Sequence, residues 1–179
     1  MKVVITGSDN GIGKSISNKF QSENWIVSGY DLLSGKDITE ENIKHQILED
    51  CNDADVFINN ALPHQMLYLS EVILLWKFKK KIIVNISSAI TYLLKNEECL
   101  FDWKEYHKLK NQLDNKIFNH HQENIFPYVM NVRPWLVDTQ FIKDIEGIDF
   151  KINPNDLADL IFTSINNIKK YQILDIVIK

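Results

Sequence analysis

Lys2-Val3-Val4-Ile5-Thr6-Gly7-Ser8-Asp9-Asn10-Gly11-Ile12-Gly13 is the stretch that decides the fold. Val3-Val4-Ile5 is a continuous apolar run, the pattern of a parallel strand buried on both faces. The strand ends at Thr6, and a helical pattern runs from Gly11 to Ser22. Between them, Gly7, Gly11 and Gly13 are three of the chain's 6 glycines. Glycines here permit a tight turn and let backbone approach a pyrophosphate closely. The helix N-terminus that follows offers N–H groups and a favourable dipole to an anion. The spacing is Thr-Gly-x-x-x-Gly-Ile-Gly, distinct from Gly-x-Gly-x-x-Gly.

Outward from this turn, strand and helix patterns alternate. Strands are predicted at Trp25–Tyr30, Asp55–Asn59, Lys81–Ile86, Tyr128–Val132 and Ile173–Ile178, with a short one at Leu33–Ile38. Helices are predicted at Glu40–Glu49 (N-capped by Thr39), Ser70–Lys80, Asp102–Asn124 and Asn155–Lys169. This alternation predicts an α/β, doubly wound, mostly parallel sheet with helices on both faces. Residues 1–179 are read as one domain, long enough to bury a core. The net charge of −4 provides no basic footprint for nucleic acid. The longest apolar stretch, Met66–Phe78, is broken by Ser70 and Glu71 and is shorter than the ~20 residues a membrane span needs. Cys51 and Cys99 read as free thiols of a reducing compartment, and the N-terminal strand is not a leader, so a cytoplasmic location is expected.

Further motifs follow in order. Asn59-Asn60-Ala61 closes one strand and Asn85-Ile86-Ser87-Ser88 another. Tyr106 and Lys110 are spaced to share one helix face with Trp103, Leu113 and Ile117. A phenol near pKa ~10 is a poor base at neutral pH, and a neighbouring ammonium lowers that value. Asp31 closes the second strand, where a carboxylate accepts hydrogen bonds from ribose hydroxyls and repels a 2′-phosphate. No Arg or Lys occurs at Ser8, Asp9, Asn10, Leu32 or Leu33, so NAD is favoured over NADP. The alternative is that Asp31 merely caps a turn with Ser34-Gly35. Arg133-Pro134-Trp135-Leu136-Val137-Asp138-Thr139 completes the series.

In this order, and over almost the whole chain, the motifs resemble those of the short-chain dehydrogenases/reductases. The resemblance implies a Rossmann-like fold and an NAD(H)-dependent oxidoreductase, moving hydride between nicotinamide and the carbon of a small-molecule carbonyl or alcohol. It assigns the phosphate turn to Gly7, Asn10, Gly11, Ile12 and Gly13, and the adenosine side to Asp31, Asp37, Asn60 and Ala61. It assigns the nicotinamide end to Tyr106, Lys110, Pro134 and Thr139, with Ser87 lining the cofactor. Tyr106 would be the acid/base, Ser88 the oxygen positioner and Lys110 the ribose anchor. No metal is implied.

The chain departs from the family pattern at several places. Leu62 and Trp135 stand where glycines are usual, and Leu67–Lys80 holds no Asn for a proton relay. The Ser88–Tyr106 interval is long, with extra residues around Leu94–Leu100, while the segment before Ile82 is compressed. Gln140–Pro154 lies where a substrate loop is expected. The helix around Val72–Trp76 is apolar nearly all round, which predicts burial on more than one side; the resemblance implies a homo-oligomer through it and the Tyr/Lys helix. These departures keep open a non-catalytic NAD(H)-binding sensor or scaffold subunit; a sugar-nucleotide modifier is a third reading, from Gly35–Thr39. His120-His121 reads as a solvated helix end, His64 as a loop residue, His107 as facing away from Tyr106, and Lys77–Lys81 as a basic helix end.

Overall fold

The computed structural model describes residues 1–62, 64–93, 103–123, 125–143, 150–168, 170 and 172–179. Cys99, the Leu94–Leu100 insertion and the middle of Gln140–Pro154 lie outside them. The strands are β1 (Lys2–Thr6), β2 (Ile26–Tyr30), β3 (Val56–Asn59), β4 (Ile82–Ile86), β5 (Tyr128–Pro134) and β6 (Asp175–Ile178). The helices are α1 (Gly11–Ser22), α2 (Glu41–Asp53), α3 (Gln65–Leu75), α4 (Ile90–Leu93), α5 (Trp103–Glu123) and α6 (Pro154–Asn167).

The strands form one sheet in the order β2-β1-β3-β4-β5-β6, and every pairing is parallel. The chain steps outward from β1 to β2, then crosses to β3 on the other side. That reversal opens a crevice at the carboxyl ends of β1 and β3, where this class of sheet takes its ligand.

Alternate side chains of each strand serve two cores. Val3 and Ile5 join Ile16 and Phe20 of α1 and Leu157, Ile161 and Ile165 of α6 on one face. Val4 joins Ile43 and Ile47 of α2, Tyr68, Leu69 and Val72 of α3, and Leu113 and Ile117 of α5 on the other. Burial on both faces is why β1, β3 and β4 read as unbroken apolar runs.

Several expectations are corrected. Leu33–Ile38 is not a strand: Leu32–Ser34 is a single 3-10 turn with Leu32 and Leu33 exposed. Asp31 caps that turn, its side chain accepting from the Leu33 N–H at 2.9 Å. Thr39 does not cap α2; Glu40 occupies the cap without a side-chain bond, while the Thr39 N–H donates to Asp37. The third helix starts at Gln65 and stops at Leu75, because the chain turns at Trp76 and Phe78 takes a positive φ of 66°. Its apolar girth is only partly covered, with Leu67 and Leu74 exposed. His120 and His121 are not a solvated helix end: His120 is buried against the carbonyl of Pro127 at 2.8 Å, and the half-buried His121 meets that of Val129 at 2.7 Å. Both rings lie against the entry to β5 because α5 packs back over it. Lys81 turns its ammonium to the last carbonyls of α2, those of Cys51 and Asn52.

Candidate active site

The glycine turn is built by contact as much as by conformation. Gly7 has φ +70°, a left-handed conformation that costs a side-chain-bearing residue energy. Gly13 is required for another reason: a Cβ there would lie 1.8 Å from the Gly7 carbonyl oxygen. α1 therefore packs hard against the turn. Asn10 caps it, its side-chain oxygen accepting from the Gly11 N–H at 2.7 Å. The other N–H groups of the first turn have no partner within the helix.

Asn60 stitches β3 to this turn, its amide donating to the carbonyls of Thr6 and Gly7 at 3.1 and 3.2 Å. The Thr6 hydroxyl accepts from the N–H groups of Asn60 and Ala61. The Asn-Asn-Ala motif thus ties the two strands that flank the crevice. Thr139 reaches the other side, within 3.4 Å of where a Gly11 side chain would begin.

A cleft of about 620 Å³ runs from this turn to the ends of β4 and β5. Asn10, Gly11, Ile12, Asn60, Ser87, Ser88, Tyr106, Lys110, Pro134 and Thr139 line it, as do Leu62 and Trp135. Ser88, Tyr106 and Lys110, far apart in the sequence, therefore share one wall. The Ser88 hydroxyl faces the Tyr106 phenol closely enough to favour its ionised form. The Lys110 ammonium lies 5.4 Å from the centre of the Tyr106 ring. Asp31 and Asp37 are not part of this lining; Asp31 accepts from the N–H groups of Asp9 and Leu33, at 3.0 and 2.9 Å. It is both a turn cap and a tie to the glycine loop. Asp9 comes with it, and its carboxyl is held low by hydrogen bonds from Ser8 and Ser34.

The electrostatics differ from the simple picture of a phenol lowered by a lysine. Burial pushes the Tyr106 phenol up, with Ser88 opposing and Asp114 adding to the rise. Burial also pushes the Lys110 ammonium down to about 7, against the opposing pull of Asp114. Both groups lose hydration in one dry wall, and that loss outweighs their neighbours.

Sequence reasoning misses three parts of the site. Gln65, buried at the start of α3, takes the Lys110 ammonium on its side-chain oxygen at 2.7 Å. Asn59, Asn85 and Asn131 stand in register on β3, β4 and β5 and form a buried amide ladder, at 2.8 and 2.9 Å. The ladder ends on Asp114, which also accepts from Ser87 at 2.7 Å and pairs with Arg133. Ser87 thus lines the cleft while its hydroxyl is spent on Asp114. The available signals are a polar residue opening an apolar helix, and a carboxylate one turn after Lys110. Trp103, Tyr106 and Phe141 form an aromatic cluster at the outer end, with ring centres 5.4–6.2 Å apart.

The site suits a dinucleotide: the Gly13 contact leaves room only for backbone beside the turn, and the cleft reaches from the α1 N-terminus to Tyr106. Among the described residues no group of three metal-ligating side chains occurs, and no helix is long and apolar enough to cross a membrane.

No family model and no curated protein matches the chain by sequence. Solved structures do match by shape. A 4-hydroxyisoleucine dehydrogenase complexed with NADH superposes with a TM-score of 0.72 at 18% identity, over 100% of this chain and 97% of that one. A short-chain dehydrogenase from Sphingobium yanoikuyae in complex with NADPH gives 0.73 at 15% identity, over 98% and 87%. A short-chain dehydrogenase/reductase from Burkholderia phymatum in complex with NAD gives 0.70 at 14%, over 98% and 88%. The all-parallel sheet, the glycine turn at its switch point and these superpositions together establish that the chain carries the short-chain dehydrogenase/reductase fold.

Proposed function

We propose that the protein is a nicotinamide-dependent oxidoreductase acting on a small-molecule carbonyl or alcohol, with NAD(H) as its dinucleotide. The observation that carries this reading is the meeting of Ser88, Tyr106 and Lys110 on one wall of a cleft whose other end is the glycine turn. The cofactor, when bound, supplies the hydride chemistry. Ser88 holds the substrate oxygen, and Tyr106 exchanges a proton with it. Because burial raises the Tyr106 phenol, Tyr106 is protonated at neutral pH and suited to donate during carbonyl reduction. Alcohol oxidation needs the phenolate and therefore rises with pH.

Asp31 and Asp9 support NAD over NADP, since one carboxylate at the end of β2 and one beside it in the glycine loop oppose a 2′-phosphate. The mainly apolar lining supports an apolar carbonyl substrate. Exposed Leu67 and Leu74 on α3, and Leu109 and Phe118 on α5, support a homo-oligomer. The free, buried Cys51 fits a reducing cytoplasm. Residues 1–179 act in this reading as one dinucleotide-binding domain. A non-catalytic NAD(H)-binding sensor or scaffold is the second reading, favoured by Leu62 and Trp135 in the cleft wall.

Two measurements decide between them. Titration with NADH and NADPH, followed by energy transfer from tryptophan, is expected to show saturable NADH binding and weaker NADPH binding. Tyr106→Phe is expected to abolish carbonyl reduction while NADH still binds. Turnover that survives in this variant would remove Tyr106 from the chemistry, and NADH binding without turnover in the wild type would favour the sensor.

A further inference from the structure

Lys110 is a fully buried ammonium with two acceptors, the Gln65 side-chain oxygen and the Ile86 carbonyl, each at 2.7 Å. The Gln65 amide has one workable orientation. Its nitrogen donates to the Asn59 carbonyl at 2.7 Å and to the Ile86 carbonyl at 3.0 Å. Turned over, it would set an NH₂ against the ammonium and an oxygen against two carbonyls. Both carbonyls are available because the ladder between β3 and β4 ends at Asn59 and Asn85, so the splayed strand ends leave acceptors for a side chain. Glutamate cannot replace Gln65 without cost, as a carboxylate has no donor for those carbonyls. Asparagine is one methylene too short.

We propose that Gln65 is the positioning residue for Lys110: its amide oxygen, oriented by the carbonyls of Asn59 and Ile86, holds the ammonium beside the Tyr106 ring. An ammonium carries three N–H groups. Two are taken by Gln65 and Ile86, which leaves one for a ligand in the cleft that Lys110 lines. Gln65 thereby governs the proton affinity of Lys110. Few other groups bear on it. Among the described residues of α5 they are Tyr106 and Asp114, the latter tied to Arg133 of β5, with the buried His107, paired with Asn111, one turn before Lys110. The ionisable residues of α3 turn elsewhere, Tyr68 to the Ile38 carbonyl and Glu71 to Lys44. His64, just before α3, lies toward Asp37. Just beyond β4 lie Ser87 and Ser88, which do not titrate in this range.

The positioning itself does not depend on catalysis; its consequence for rate rests on the proposed function. The test is therefore an NMR titration of the full chain labelled at lysine Cε and glutamine side-chain nitrogen, with the Lys110 signal assigned through Lys110→Arg. In the wild type, the Gln65 amide signal is expected to shift with the same midpoint as Lys110. In Gln65→Leu the Lys110 midpoint is expected to fall by about one pH unit or more, and in Gln65→Glu to rise. A Gln65 signal that stays flat through the Lys110 titration overturns the proposal, even if neither variant folds. So does an unchanged Lys110 midpoint in folded variants. A carbonyl-reduction pH profile recorded alongside separates the two claims. Absence of turnover in the wild type sinks the oxidoreductase reading alone, whereas turnover with an unmoved Lys110 sinks the role of Gln65 alone.

Discussion

The two ends of the cleft are made of different material. At the glycine end the groups offered to a ligand are backbone, shaped by close approach such as Gly13 against Gly7 and pinned to β3 by the Asn60 amide. At the Tyr106 end they are side chains from three separate segments, joined by hydrogen bonds between residues distant in sequence, such as Lys110 to Gln65 and Asp114 to Asn131. The first end tolerates almost no added volume. The second is a buried polar network whose members largely satisfy one another, with the Asn59 side-chain oxygen left unpartnered among the described residues.

That contrast predicts how each end breaks. Gly13→Ala should have the largest effect: a Cβ 1.8 Å from a carbonyl oxygen forces α1 off the turn, costing roughly 3 kcal/mol or more and abolishing NADH binding. Urea unfolding and a cofactor titration check both. A Gly13→Ala variant of wild-type stability would mean that the turn is soft and the contrast false.

Asp114→Asn should come next. It keeps an oxygen for Ser87 and Asn131 but breaks the half of the ion pair that Asp114 contributes, and Asp175 still neutralises Arg133. The expected loss is about 2 kcal/mol, read by urea midpoint. A smaller loss would show the polar end to be more forgiving than the glycine end.

Lys110→Met sharpens the comparison through pH. The folded lysine titrates near 7, well below its ordinary value of 10.5. Between those limits the unfolded chain holds a proton that the folded chain lacks. Stability from this group is therefore present above the unfolded value and lost as pH falls toward 7. The wild type should gain stability relative to Lys110→Met as pH rises from 7 to 10, by up to about 1.4 kcal/mol per pH unit. A pH-independent difference would mean that Lys110 stays charged throughout. The smallest effect belongs to Gly35→Asn. No atom lies within 4 Å of its Cβ position, so only φ +73° is strained, and Asn accepts that conformation at a cost below about 0.5 kcal/mol.

The same division separates what is legible in the sequence from what is not. The strands Val3-Val4-Ile5 and Ile82-Ile83-Val84 announce burial on both faces, and the glycine turn announces itself by composition, because in both cases the determining forces act over a few residues. The pairing of Tyr106 with Lys110 follows from helix spacing alone. Leu33–Ile38 misleads because Asp31 caps a 3-10 turn over Leu32–Ser34 that breaks the extended backbone at its start, and His120-His121 because amphipathic spacing does not reveal that β5 enters beneath α5.

By itself, then, the sequence determined the alternating elements, the sheet they form, the phosphate turn and the spacing of Tyr106 and Lys110. All of these rest on local periodicity and backbone geometry. Only the tertiary structure decided that Gln65 meets Lys110, that Asn59, Asn85 and Asn131 align across three strands, and that Asp31 is tied to Asp9. Such contacts depend on strand register and on burial, where a polar group must find whichever partner the fold brings within hydrogen-bonding reach.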